Sequence, residues 1–142
     1  MEITIKAVEE NDIPDLINLN NAFNDVDNGT VESMKESLKK NTGELVFLAM
    51  YNNEAVGFIC GQVYSSICYT SRQGEMTELY VKEAFRRKGI ATMLIKHLEN
   101  ELINHKVHEI KLITDFKNNN AQKLYEKCGY TDKDLTLSKG FY

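Results

Sequence analysis

Residues 78–99 read Glu78-Leu79-Tyr80-Val81-Lys82-Glu83-Ala84-Phe85-Arg86-Arg87-Lys88-Gly89-Ile90-Ala91-Thr92-Met93-Leu94-Ile95-Lys96-His97-Leu98-Glu99. Glu78 to Val81 reads as a strand end, and Arg86 to Ala91 as a basic turn around a glycine. Beyond Gly89 the apolar residues Ile90, Met93, Leu94, Leu98 and Leu102 fall at helical period. A strand, a glycine turn and a helix in succession leave several backbone N–H groups unpaired at the helix start, where the helix dipole favours an anion. Arg86, Arg87 and Lys88 add positive charge beside those donors. The expectation is a phosphate cradle built mainly from the backbone amides of Arg87 to Thr92. Neither G-x-x-x-x-G-K-[ST] nor G-x-G-x-x-G occurs, so a P-loop and a dinucleotide turn are excluded. What stands here is R-x-x-G-x-A, from Arg86 through Gly89 to Ala91. Taken alone, a basic triplet before a helix also reads as a solvated helix entry.

The rest of the composition narrows the setting. A chain of 142 residues, 42% hydrophobic and 27% charged, can bury the core of one globular domain spanning 1–142. A formal charge of -4 argues against a general nucleic-acid binder and is compatible with a cationic substrate. No apolar run is long enough for a bilayer, and Met1 to Glu10 does not read as a signal peptide, so no membrane partner is expected. Cys60, Cys68 and Cys128 are odd in number and lack C-x-x-C spacing. They suggest neither a disulfide framework nor a zinc site, and a reducing cytoplasm is the expected location.

In chain order, Ile3 to Val8 alternates as a first strand, and Asn11 or Asp12 with Pro14 opens a helix through Leu16, Ile17, Leu19 and Ala22. The polar loop Asn24 to Gly29 fails the spacing of a calcium loop and reads as a turn; no metal is expected there. A second helix covers Val31 to Lys39. Leu45 to Tyr51, a tight Asn52-Asn53 turn and Ala55 to Ser66 form a strand pair with bulges at Gly57 and Gly61. Ser65 to Gly74 reads as a hairpin connection and Met76 to Val81 as the next strand. His105 to Glu109 reads as a connection, with His97, His105 and His108 on the surface, and Ile110 to Thr114 as a strand. A helix from Asn118 to Cys128 ends at Gly129, and Leu135 to Phe141 reads as a last strand. The order predicts one α/β domain with a mixed sheet.

A second motif follows the first. Asn118 to Tyr130 matches N-x-x-A-x-x-L-Y-x-x-x-G-[FY], through Asn118, Ala121, Leu124, Tyr125, Gly129 and Tyr130. By itself it describes a capped amphipathic helix. Together, and in this order with one strand between, the two motifs resemble the GNAT superfamily of acetyl-CoA-dependent N-acetyltransferases. That family carries [QR]-x-x-G-x-[GA] between a strand and a helix. The resemblance covers Leu45 to Phe141 well and the N-terminal residues only in layout. It implies a mixed central sheet with helices on both faces, strands that splay at the cofactor cleft, acetyl-CoA as acetyl donor, and often a homodimer.

Moving an acetyl group from a thioester to an amine requires an anchored donor, an oxyanion partner, loss of an ammonium proton and protonation of the leaving thiolate. The turn, through Arg86, Arg87, Lys88, Gly89, Ile90, Ala91 and Thr92, is the expected anchor. The resemblance implies that Leu79 and Val81 bind the acetyl and pantetheine groups through their main chains. Tyr125 matches the family's tyrosine near the thioester sulfur, where its hydroxyl can protonate the thiolate; simple packing is the alternative. Asn118 matches a position on the cofactor arm, with a helix cap as the alternative. Glu78 is the candidate base or ammonium ligand, acting directly or through water, on a strand face shared with Met76 and Tyr80.

The acceptor is less legible. At Ile113-Thr114-Asp115 the chain departs from the run usual in protein N-terminal acetyltransferases of this superfamily. Asp115 paired with Glu78 looks like the GNAT-type aminoglycoside N-acetyltransferases, and two carboxylates there would form an anionic pocket. The expected acceptor is therefore the primary amine of a small cationic molecule such as an aminoglycoside or polyamine. The alternatives are a protein N-terminus or lysine and, less favoured, a CoA-binding module without turnover. Asp115 also fits a helix cap.

Overall fold

The computed structural model describes residues 1–24, 29–41 and 43–142. In chain order these residues form β1 (Thr4–Ala7), α1 (Ile13–Asn24), α2 (Val31–Lys40), β2 (Glu44–Tyr51), β3 (Glu54–Tyr64), β4 (Arg72–Val81), α3 (Ile90–Asn104), β5 (Val107–Leu112) and α4 (Asn119–Lys127). The strands make one five-stranded sheet in the order β1-β2-β3-β4-β5. β1 to β4 are antiparallel neighbours, and β5 lies parallel to β4. α3 is the crossover that a parallel pair requires. The expected mixed sheet with helices on both faces is what forms. The Asn24 to Gly29 loop lies largely outside the described residues.

Local chemistry places the turns. Asn52 and Asn53 hold φ of 48° and 66°, the left-handed pair that a two-residue hairpin needs and that asparagine tolerates. The β2–β3 register passes from Ala49 opposite Gly57 to Met50 opposite Ala55, leaving Val56 as the extra residue. The β3–β4 register passes from Cys60 opposite Glu78 to Gly61 opposite Met76, leaving Thr77 as the extra residue. Both bulges sit beside the glycines where they were expected. At Gly61 a Cβ would lie 2.6 Å from Leu98 Cδ1, so glycine is what lets α3 press on the sheet.

The two faces carry separate cores. On one, α3 buries Ile90, Leu94, Ile95, Leu98 and Leu102 against β-strand residues that include Val56 and Ile59. Each such side chain contributes about 2 kcal/mol of burial free energy. On the other, Leu19 of α1 packs with Leu48, Phe58 and Cys60.

Five expectations change. Met76 belongs to the α3-side core, whereas Tyr80 packs on the α1 side and Glu78 pairs with Cys60 of that same side. The extra residue Thr77 reverses the alternation, so Met76 does not share the face of Glu78. β4 begins at Arg72 because Tyr64, at the end of the long β3, pairs with Gln73. β5 begins at Val107 because Lys106, at φ 65°, reverses the chain in one residue after α3. His97 is half-buried, with its ring 4.6 Å from that of Phe47, and His105 is also half-buried. Leu135 to Phe141 forms no strand and stands exposed; a strand exists only by pairing, and this segment pairs with none among the described residues.

Candidate active site

β4 leads straight into the turn. After Val81 a short 3-10 turn, Glu83–Phe85, carries the chain to Arg87 (φ 63°) and Gly89 (φ 81°), both left-handed. Two such residues in three make the tight turn that leads into α3. Gly89 pays no steric cost for its φ, and nothing lies within 4 Å of the Cβ it lacks. The backbone bond from Met93 N–H to Gly89 C=O, 3.1 Å, closes the first turn of α3. The amides of Ile90, Ala91 and Thr92 therefore have no partner within the helix. The Arg86 Nε donates to Val81 C=O at 2.8 Å and its guanidinium lies 5.6 Å from the Tyr80 ring centre. Arg87 and Lys88 are exposed beside the free amides. These residues can hold a pyrophosphate.

The sheet opens at the same place. Pairing of β4 with β5 runs from Arg72 opposite Val107 to Met76 opposite Leu112 and then stops, while β4 continues to Val81. Leu79 and Val81 turn their side chains to the α3 core, and their strand edge toward β5 is left without a strand neighbour. Glu78 sits on the other face with a partner that sequence reasoning missed. Burial, and then the Glu44 carboxylate, hold the Glu78 carboxyl above its ordinary range. Glu44, at the start of β2, is raised by its own partial burial and accepts a hydrogen bond of 3.2 Å from Gln62 Nε2. The Cys60 thiol is pushed far up by burial, with the Glu44 and Glu78 charges adding to it. Glu44 continues the alternation of Val46 and Leu48 on the α1 face; that alternation was the available signal, but only the register brings it toward Glu78.

α4 packs on the α3-side core. Tyr125 is half-buried against the α3-side core, and burial, then Cys128, raise its hydroxyl above the ordinary tyrosine range. It is therefore a protonated donor at neutral pH. Asn118 is the N-cap of α4, its Oδ1 accepting from Ala121 N–H at 3.1 Å. Asp115 shapes the preceding turn: its Oδ1 accepts from Lys117 N–H at 2.7 Å and its carbonyl accepts from Gln122 Nε2 at 3.0 Å. The Glu44 charge is thus one of the causes of the upward shift at Glu78, and Asp115 is exposed with its Oδ1 supporting its own turn. Tyr130, after α4, donates its hydroxyl to Glu99 of α3 and packs edge-on to Tyr125.

Residues 13–130 match the acetyltransferase (GNAT) family. The chain belongs to that family. It is 36% identical over 97 residues to N-alpha-acetyltransferase 30 of Xenopus laevis, a match that covers 67% of this chain and 35% of that protein. It is 33% identical over 119 residues to an N-alpha-acetyltransferase of Saccharolobus solfataricus, covering 79% of this chain and 67% of the relative. Among solved structures, an aminoglycoside acetyltransferase from an uncultured soil metagenomic sample, in complex with sisomicin, superposes with a TM-score of 0.86 at 20% identity. That superposition covers 99% of this chain and 95% of the other. At this identity the likeness is one of fold. In this GNAT chain the turn at Arg86–Thr92 follows directly on the unpaired end of β4, and Tyr125 of α4 packs against the same α3-side core as Leu79 and Val81. Among the described residues no helix is long and apolar enough to cross a membrane.

Proposed function

We propose that this protein transfers the acetyl group of acetyl-CoA directly to a primary amine, and that the amine is the N-terminal α-amine of a polypeptide. The observation that carries the transfer is the turn after β4, where three helix-start amides and two exposed cations face the end of an opened strand. In this reading Arg87 to Thr92 hold the pyrophosphate with Lys88, and the main chains of Leu79 and Val81 hold the pantetheine arm and the acetyl carbonyl. Arg86 acts by bracing the strand end, and Asn118 by capping α4. Glu78 binds the acceptor ammonium and takes its proton, directly or through water. As the amine nitrogen bonds to the acetyl carbon and the carbon–sulfur bond breaks, Tyr125 gives its hydroxyl proton to the departing sulfur. No covalent acyl-enzyme is required.

The polypeptide acceptor is supported by the curated N-alpha-acetyltransferase relatives. A second reading, a small cationic amine such as an aminoglycoside or polyamine, is supported by the two interacting carboxylates Glu44 and Glu78. In that second reading Asp115 joins Glu78 in binding the substrate's cationic groups. Thiol release from acetyl-CoA across peptides, free amino acids, polyamines and aminoglycosides separates them. Turnover with peptides alone supports the first reading, turnover with polyamines or aminoglycosides alone the second, and turnover with none overturns both. We also propose a homodimer as the working form, in a reducing cytoplasm that suits the free cysteines Cys60, Cys68 and Cys128.

A further inference from the structure

The end of β4 and the turn after it bring two opposite charges to the α1 side of the sheet, and the two do not pair. Glu78 carries a half-buried carboxylate there that makes no ion pair among the described residues. Tyr80, two positions on, packs on the same side, its ring centre 5.4 Å from that of Phe23 and 6.4 Å from that of Phe58. The Arg86 guanidinium lies 5.6 Å from the Tyr80 ring centre, which keeps it on the side of the sheet that carries Glu78. Of its nitrogens, only Nε is bonded among the described residues, to Val81 C=O. The N–H groups of its two outer nitrogens are left for another acceptor.

The spacing of these charges states what kind of acceptor suits them. Residues two apart on a strand lie about 7 Å apart, and Arg86 reaches this face at Tyr80 rather than at Glu78. A molecule whose ammonium meets Glu78 therefore meets a cation further along. A second ammonium placed there is repelled, whereas a carboxylate takes the outer nitrogens of the guanidinium. The α-carboxylate of a free amino acid hangs on the same carbon as its ammonium and does not reach both. An acidic side chain on the second residue of an extended peptide does, because one residue adds about 3.8 Å and the side chain supplies the rest. The rival arrangement is a polyamine with its second ammonium directed toward the Glu44 charge, which also acts on Glu78.

We propose that the outer nitrogens of Arg86 bind an acidic side chain at the second position of an acceptor peptide whose α-amine is held by Glu78. Arg86 then has two tasks: Nε braces the strand end at Val81, and the outer nitrogens select the substrate. Arg87 and Lys88, exposed beside the amides of Ile90 to Thr92, are left to the cofactor. The proposal rests on the peptide reading of the acceptor.

Steady-state kcat/KM on peptides identical except for aspartate, serine or lysine at the second position tests it, with the unmodified chain and with Arg86→Gln. The unmodified chain is expected to favour the aspartate peptide over the serine peptide by about tenfold, mostly through KM, with the lysine peptide poorer still. Salt should shrink that preference by screening the charge pair. Arg86→Gln is expected to bring the aspartate-to-serine ratio to about one. A purely structural loss lowers kcat/KM for every peptide alike and leaves the ratio where it was. Equal kcat/KM for aspartate and serine in the unmodified chain, or a preference that survives Arg86→Gln, overturns the Arg86 subsite and keeps the peptide reading. A preference for lysine overturns it in favour of the Glu44 arrangement. An aspartate preference that does not change with salt, read on the unmodified chain, overturns it however the variant folds. Turnover with no peptide overturns the peptide reading and the subsite with it.

Discussion

The Tyr130 hydroxyl donates a 2.7 Å hydrogen bond to Glu99 Oε2, tying the chain just past α4 to the outer side of α3. The tie joins two helices that are separate in sequence and flank the opened end of β4. Gly129, at φ 98°, makes it possible by turning the chain sharply at the end of α4. Tyr130 N–H then bonds Tyr125 C=O at 3.0 Å, so the same turn that seats Tyr130 fixes Tyr125.

Tyr130→Phe keeps the ring and removes the bond. We expect a stability loss of about 1–2 kcal/mol in urea unfolding at neutral pH. Burial and Glu99 raise the Tyr130 hydroxyl above its ordinary value of 10.0, so the folded state retains its proton longer than the unfolded state does. The tyrosine's contribution is therefore fully present below about pH 10 and is lost as the pH rises beyond that. The gap between wild type and variant should narrow in that window; a gap that is flat with pH would mean the bond adds nothing.

Tyr125→Phe should lower kcat by about 100-fold with little change in acetyl-CoA affinity, if the hydroxyl protonates the sulfur. Steady-state turnover beside calorimetric binding reads the two separately. Equal kcat in wild type and variant would leave Tyr125 a packing residue.

Glu78 must be ionised to take a proton. Its carboxyl lies above the ordinary value of 4.5, so activity should fall on the acid side at a pH above that value. Glu44→Gln removes the neighbouring charge and should move that acid limb to lower pH. Glu78→Gln should abolish the limb and cost about 100-fold in kcat/KM at neutral pH. An acid limb in the same place for wild type and Glu44→Gln would separate the two carboxylates functionally.

Gly89→Ala meets no neighbouring atom but must hold φ near 81°, at a cost of about 1 kcal/mol. Relaxation of that strain would turn the amides of Ile90 to Thr92. We expect a several-fold weaker Kd for CoA with an unchanged dichroism spectrum. An unaltered Kd would argue that the turn is not the anchor.

Most of this site was legible because it is local. Gly89, the basic residues before it and the apolar stripe of α3 lie within one turn and one helix, and Asn118 and Gly129 mark both ends of α4 by their own backbone chemistry. The glycines at 57 and 61 likewise announced bulges. What could not be read was the sense of the second bulge, which sends Met76 to one face and Glu78 to the other. Nor could Glu44 be found: it lies 34 positions before Glu78 and approaches it only through the β2–β3–β4 register. Asp115, the expected partner, accepts from Lys117 N–H within its own turn through Oδ1.

By itself, then, the sequence determined the family, the glycine turn before α3, most of the buried stripe of α3 (Met93 is exposed and Ile95 buried) and the caps of α4, because each follows from backbone preferences and periodicity over a few residues. Tertiary structure alone decided that the Glu44 charge adds to the upward shift of Glu78, where β4 parts from β5, and that Leu135 to Phe141 finds no strand partner among the described residues. Those are outcomes of pairing between distant segments. A strand pattern states only that a partner is needed, and the sheet determines which one is within reach.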